Sequence, residues 1–79
     1  MMDNSLLTIA ELAKFLGISA ATINYYTNLG LFVTKDRKGN VRLYDKNEAK
    51  KLYDQIHAMR KEGYSLRIIQ ERMQKGYRI

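Results

Sequence analysis

A helix stop and a helix start stand two residues apart near the beginning of the chain. Thr8-Ile9-Ala10-Glu11 is a capping box, in which the Thr hydroxyl and the Glu carboxylate each satisfy a backbone N–H left over at the helix end. Ile9, Leu12, Ala13 and Leu16 follow at helical spacing, and Gly17 supplies a left-handed stop. After Ile18, Ser19 is an N-cap for a second helix running to about Leu29, with Gly30 as its stop. Two short helices joined by so tight a turn form a helix-turn-helix.

The remainder of the chain fits around that unit. Leu31 to Thr34 and Val41 to Tyr44 suit strands, and KDRKGN between them is a polar turn with Gly39 and Asn40 available for positive φ. Asp45-Lys46-Asn47-Glu48 is a second capping box and opens the longest helix. Ala49, Leu52, Tyr53, Ile56, Met59 and Arg60 lie on one side of that helix, with Lys46, Lys50, Lys51, Asp54 and Lys61 on the other. Gly63 ends it. Ser65 caps a last helix with Leu66, Ile69 and Met73 on its core face, closed by Gly76. The second helix pair (residues 45–76) repeats the architecture of the first (residues 8–30), but the two halves share no sequence pattern. The expected class is mainly α with a small β-hairpin, in one domain over residues 1–79 whose core is about 7–76.

With 79 residues, the chain is near the lower size at which one core holds without staples. It has no cysteine, which excludes disulfides and thiolate metal chemistry. Its apolar runs fall far short of the ~20 residues of a membrane span. A soluble cytoplasmic protein is expected.

The formal net charge of +6 is unevenly divided. Residues 1–34 carry Lys14 against Asp3 and Glu11, a net −1; residues 35–79 carry thirteen basic and six acidic groups, a net +7. From Phe15 to Thr34 there is no charged side chain. A surplus confined to one half suggests either a polyanion partner or a solubilising face.

LTIAELAKFLGISAATINYY, then GL, then RLY after the hairpin, then EGYSLRII, resembles the N-terminal domain of the MerR family of bacterial transcriptional regulators. The likeness covers about residues 7–76. It implies a winged helix-turn-helix whose second helix enters the DNA major groove. The hairpin forms one wing, and the turn between the third and fourth helices forms another. Family members bind as dimers at overlong promoter spacers and distort the DNA so that RNA polymerase engages both promoter elements. Their dimerisation comes from a long fifth helix followed by a ligand-binding domain, and neither is expected within these residues. The chain departs from the family pattern at four places: Asn24 stands where Arg is usual, Thr27 where Glu is usual, Asn40-Val41 where Gly-Tyr is usual, and no Pro follows the Gly-Leu pair.

If Ile23 points inward, Ser19, Tyr26 and Gly30 share its side of the second helix. Ala21, Asn24, Tyr25 and Asn28 point away, with Ala20 and Thr22 at the borders. Small and uncharged residues suit a helix lying in a groove, since Ala permits close approach and Asn bonds an adenine edge bidentately. Phosphate contacts position a protein while base contacts specify, so the cations are expected elsewhere. The hairpin supplies Lys35, Arg37, Lys38 and Arg42, and the second wing supplies Arg60, Lys61 and Ser65.

Each assignment has a plain alternative. Asn24 is a base reader or a solvated surface amide. Tyr25 and Tyr26 are both core, or, as periodicity favours, Tyr26 is core and Tyr25 an outward phosphate donor. Arg42 forks onto a phosphate or balances Asp45. One or two of the loop-tip cations only tune the field, and Tyr44 packs within the hairpin. Ser65 anchors a phosphate, caps its helix, or does both. Lys46, Lys50 and Lys51 form a solvated face with a Lys50–Asp54 pair. His57, the one histidine, is a boundary residue. No nucleophile with a suitably spaced His, phosphate-cradling Gly loop or metal-ligand cluster is visible, so neither enzyme activity nor a cofactor is expected.

Sequence-specific duplex DNA binding in transcriptional regulation is therefore the expected function, at the bacterial nucleoid. RNA polymerase at a promoter is a further partner; the chain is expected to be a monomer in isolation, with pairing on DNA left open. Two alternatives stand beside it: an excisionase-like architectural factor that bends DNA, and a MerR-like modulator of a chaperone that binds protein. Ile68, opposite Leu66 on the last helix, and Tyr77 and Ile79 at the tail are apolar groups that suit a protein partner.

Overall fold

The computed structural model describes residues 5–74, which form three short strands and four helices. In chain order these are β1 (Leu6–Leu7), α1 (Ile9–Leu16), α2 (Ala20–Asn28), β2 (Asp36–Lys38), β3 (Val41–Asp45), α3 (Lys46–Lys61) and α4 (Leu66–Gln74). The antiparallel sheet has the order β1-β3-β2, which puts β3 in the middle. This is a mainly helical winged helix-turn-helix. Gly76, Tyr77 and Ile79 lie outside the described residues.

Local chemistry sets the first helix pair as its sequence leads one to expect. Glu11 N–H donates to Thr8 Oγ1 at 3.2 Å, and Thr8 N–H donates to Glu11 Oε1 at 2.9 Å. Gly17 ends α1 at φ +74°, where a side chain would be strained, and its N–H donates to Ala13 O. Ser19 then accepts Thr22 N–H and starts α2. The α1 and α2 faces bury Leu12 and Ile23 completely.

The hairpin differs from the sequence expectation. Leu31 and Phe32 are buried but not in a strand; their N–H groups both donate to Tyr26 O, wrapping the chain off the end of α2. The outer strand instead begins at Asp36, and Gly39-Asn40 alone makes the turn, since Lys38 pairs with Val41. Gly39 has φ +64° and Asn40 a negative φ, the pattern of a turn with Gly at its first central position. An edge strand exposed on both faces needs no apolar alternation, so Asp36-Arg37-Lys38 does not look like a strand in sequence. The two-residue β1 is too short to leave a pattern at all. It lies against β3 with Leu6 opposite Asp45 and Leu7 opposite Tyr44.

Asp45 closes β3 and caps α3 by accepting Glu48 N–H at 2.9 Å. Along α3, Ala49 and Ile56 are buried and Leu52, Tyr53 and Met59 half-buried, whereas Arg60 is exposed rather than part of that apolar side. Lys46 also departs from expectation. It is half-buried, with its ammonium 4.8 Å from the Phe15 ring centroid, so it docks the start of α3 on the end of α1. Ser65 accepts Ile68 N–H at 3.3 Å at the head of α4, whose Ile69 is fully buried. Gln70 Nε2 donates to Leu29 O at 2.8 Å, satisfying a carbonyl at the C-terminal end of α2. One core joins all of this: Leu12, Ile23, Leu31, Phe32, Tyr44, Ala49, Ile56 and Ile69.

Candidate nucleic-acid interface

The outer side of α2 is as uncharged in three dimensions as in sequence. Ala20, Ala21, Asn24, Tyr25 and Asn28 are exposed, while Tyr26 turns inward to meet Phe32 edge-on at 5.6 Å. Tyr25 is 53% exposed, which leaves its hydroxyl accessible to a partner. Thr22 is half-buried, and its hydroxyl is engaged with Ser19 Oγ at 2.8 Å. Its polar atom therefore serves the helix cap.

Beside α2 stands the hairpin. Asn24 lines an open cleft of about 470 Å³ together with Asn40, Val41 and Arg42, over Ile9 and Tyr44. The polar outer face of the helix, at Asn24, and the cationic strand of the wing therefore face one space. Sequence spacing does not bring Asn40 and Val41 to Asn24; the two-residue turn and the register of β3 do.

Register also explains the charge. Arg37 and Arg42 are direct cross-strand partners on the β2–β3 ladder. Like charges placed opposite one another cost stability, and among the described residues neither guanidinium is ion-paired with an acidic side chain. Asp45 is turned to its capping role, and the Asp36 carboxylate accepts the Arg37 backbone N–H at 2.7 Å. Among the described residues, the ion pairs are Lys50–Asp54 at 2.8 Å and Arg67–Glu71 at 3.9 Å, both within helices. Lys35, Lys38, Arg60 and Lys61 are likewise exposed and outside those pairs.

The second group of cations lies at the other turn. Arg60 and Lys61 occupy the last turn of α3, where cations also complement the helix dipole. Ser65 is exposed at the head of α4, and Tyr64 between them is held under Arg72, 4.7 Å from guanidinium to ring centroid. His57 is exposed and stacks on Tyr53 at 6.0 Å. No group of three His, Cys, Asp or Glu side chains that could hold a metal occurs among the described residues. No helix there is long and apolar enough to cross a membrane.

One contact has no precedent in the sequence reading. Thr27 Oγ1 donates to Ile23 O at 2.7 Å and shares a 2.9 Å hydrogen bond with the Tyr44 hydroxyl. A helical Thr bonding four residues back is a local habit; its second partner, seventeen residues away, carries no local signal.

Comparison with known proteins places this architecture. The model of the MerR HTH family regulatory protein matches residues 7–76. The chain is 35% identical over 69 residues to the HTH-type transcriptional regulator CueR of Bacillus subtilis (strain 168), covering 87% of this chain and 48% of that protein. It is 36% identical over 66 residues to the HTH-type transcriptional regulator AdhR of the same organism, covering 82% and 46%. To the nodulation protein NolA of Bradyrhizobium elkanii it is 34% identical over 67 residues, covering 84% and 30%. It thus spans less than half the length of each of these relatives. No solved structure gives a significant match. A family model that accounts for nearly the whole chain, on a fold with the matching helix-turn-helix and wing, means that this protein belongs to the MerR family of helix-turn-helix regulators.

Proposed function

We propose that the chain binds duplex DNA sequence-specifically in transcriptional regulation, with α2 in the major groove and the wings on phosphates. The observation that carries this reading is the opposed pair Arg37 and Arg42, two exposed guanidinium groups set across from each other, neither in an ion pair among the described residues. Such a pair gains most from an external polyanion, because a phosphate backbone converts repulsion into two forked contacts. The neutral face of α2 next to it suits a reader: Asn24 and Asn28 bond base edges, and Ala20, Ala21 and Thr22 allow close approach. Tyr25 donates to a phosphate from the helix. Lys35 and Lys38 extend the first clamp, and Arg60, Lys61 and Ser65 form the second.

The family resemblance and two transcriptional regulators among the relatives support a regulatory setting, with a promoter and its polymerase as the surroundings and the nucleoid as the place. In this reading the chain is a monomer in isolation, and the symmetry of the selected site tells whether two copies pair on DNA. Selection of bound duplexes from a random library at moderate salt tests this reading. An inverted repeat with AT-containing half-sites is the expected result. Recovery of nothing above non-specific binding would turn the assignment toward a protein partner.

Salt and substitution then separate reader from clamp. With ~4–6 phosphates engaged per protomer, log K falls against log salt with a slope of about −4 to −5. Arg42→Ala weakens binding to all duplexes and flattens that slope by roughly one. Asn24→Ala relaxes preference at one base step and leaves the slope alone. Equal effects of the two changes on every sequence would refute the separation of roles.

A further inference from the structure

We infer that Thr27 and Tyr44 form a positioning pair that fixes the angle between α2 and the wing, and through that angle sets DNA sequence specificity. The inference rests on the proposed DNA-binding reading. Among the described residues, the Thr27–Tyr44 bond is the one side-chain hydrogen bond joining α2 to β3. It is anchored at both ends. Thr27 Oγ1 is held on Ile23 O, the carbonyl of the fully buried residue just before Asn24, and the Tyr44 ring is itself fully buried in the core. Tyr44 also forms part of the floor of the cleft whose walls are Asn24 on the helix and Arg42 on the wing.

The geometry makes this a hinge stop. Arg42 sits two residues before Tyr44 on the same strand, so it shares that strand's face alternation and moves with the ring. Asn24 sits three residues before Thr27 and moves with the helix. A duplex offers phosphates and base edges at fixed separations. A helix and a wing free to rock against each other still meet phosphates, because long cationic side chains adapt. They lose the simultaneous bidentate register that a base edge demands, since such contacts tolerate little misplacement. Thr27 and Tyr44 therefore act on specificity through Asn24 and Arg42, without touching DNA.

Tyr44→Phe deletes one hydroxyl and leaves Thr27 bonded to Ile23 O. Combined with Thr27→Val, it removes both partners together, which avoids stranding a buried hydroxyl and keeps the fold near its original stability. The measurement is the ratio of affinity for the selected site to affinity for unrelated duplex, with the salt slope, for the wild-type chain, Tyr44→Phe and the double variant. Thermal melts and circular dichroism accompany each. Both variants are expected to lose about ten-fold in the ratio, within what one misplaced bidentate base contact forfeits, at unchanged non-specific affinity and slope. A second readout is coupling: Asn24→Ala should reduce the ratio less in the Tyr44→Phe background than in the wild-type chain. A purely structural role would lower the melting temperature and weaken all duplexes alike, with no such coupling. An unchanged ratio in the folded variants overturns the inference while leaving DNA binding standing. A wild-type chain without any sequence preference overturns both.

Discussion

The two helix pairs of this molecule are built on the same turn and dressed for different neighbours. Gly17-Ile18-Ser19 leads into α2 and Gly63-Tyr64-Ser65 into α4; each Gly has positive φ, and each Ser accepts the N–H three residues on. Each of those helices also plants one isoleucine, Ile23 or Ile69, fully in the core. Their outer faces have nothing in common. That of α2 carries alanine, asparagine and tyrosine, whereas that of α4 carries Arg67, Ile68 and Glu71, with Arg67 and Glu71 paired to each other. The turn decides how a second helix leaves the first. What the helix can then lie against is decided by a handful of residues that the fold does not use.

The comparison breaks most severely in the core. Ile23→Ala and Ile69→Ala should each cost about 2–5 kcal/mol, a large share of the ~5–15 kcal/mol typical of a domain. Because both side chains belong to one cluster, the melts should stay single transitions; a biphasic melt for either variant would show that the pairs fold separately. Next in size is a charge placed on each outer face. Ala21→Glu should cost about 2 kcal/mol or more of DNA affinity through repulsion from phosphate, while Ile68→Glu should leave binding within two-fold or so. Titration of both variants against one duplex reads the difference, and equal losses would mean that α4 faces the DNA too.

Smaller effects sharpen the likeness rather than the contrast. Ser19→Ala and Ser65→Ala should each destabilise by about 1 kcal/mol as lost N-caps. Ser65→Ala should in addition weaken DNA binding if that helix end meets a phosphate, which a comparison of denaturant midpoints with binding constants isolates. Smallest of all, Lys50→Ala should change stability by less than about 0.5 kcal/mol, because its pair with Asp54 is exposed and solvated. A larger shift in the urea midpoint would point to a structural role for that face of α3.

How much of this is legible in the sequence depends on how local its cause is. The caps at Thr8, Ser19, Asp45 and Ser65 and the inward Ile23, Tyr26, Ile56 and Ile69 follow from spacing alone, since a helix imposes its own period. In sequence the apolar residues of Leu31–Thr34 suit the outer strand. Leu31 and Phe32 are apolar because they cap the core at the end of α2, whereas Val33 is exposed, and the real strand is polar because nothing covers it. The shared Gly-x-Ser turn is short enough to escape a search for repeats. The candidate interface divides the same way: the uncharged face of α2 is visible in sequence, whereas the opposition of Arg37 to Arg42 needs the register of two strands. Thr27 and Tyr44 are least legible, their meeting being a product of the packed core.

The outer strand of the wing has one more property. β2 lies at the edge of the three-stranded sheet, exposed at all three residues, with its outer side unpaired by any strand and the Arg37 N–H taken by the Asp36 carboxylate. Exposed edges invite sheet-to-sheet aggregation, and charged side chains along the edge oppose it. Asp36, Arg37 and Lys38 are such a guard. The opposite edge, β1, is guarded differently, by being only two residues long. The cations held out from the wing therefore oppose edge-to-edge self-association, and stripping them to erase a binding surface would also remove that protection.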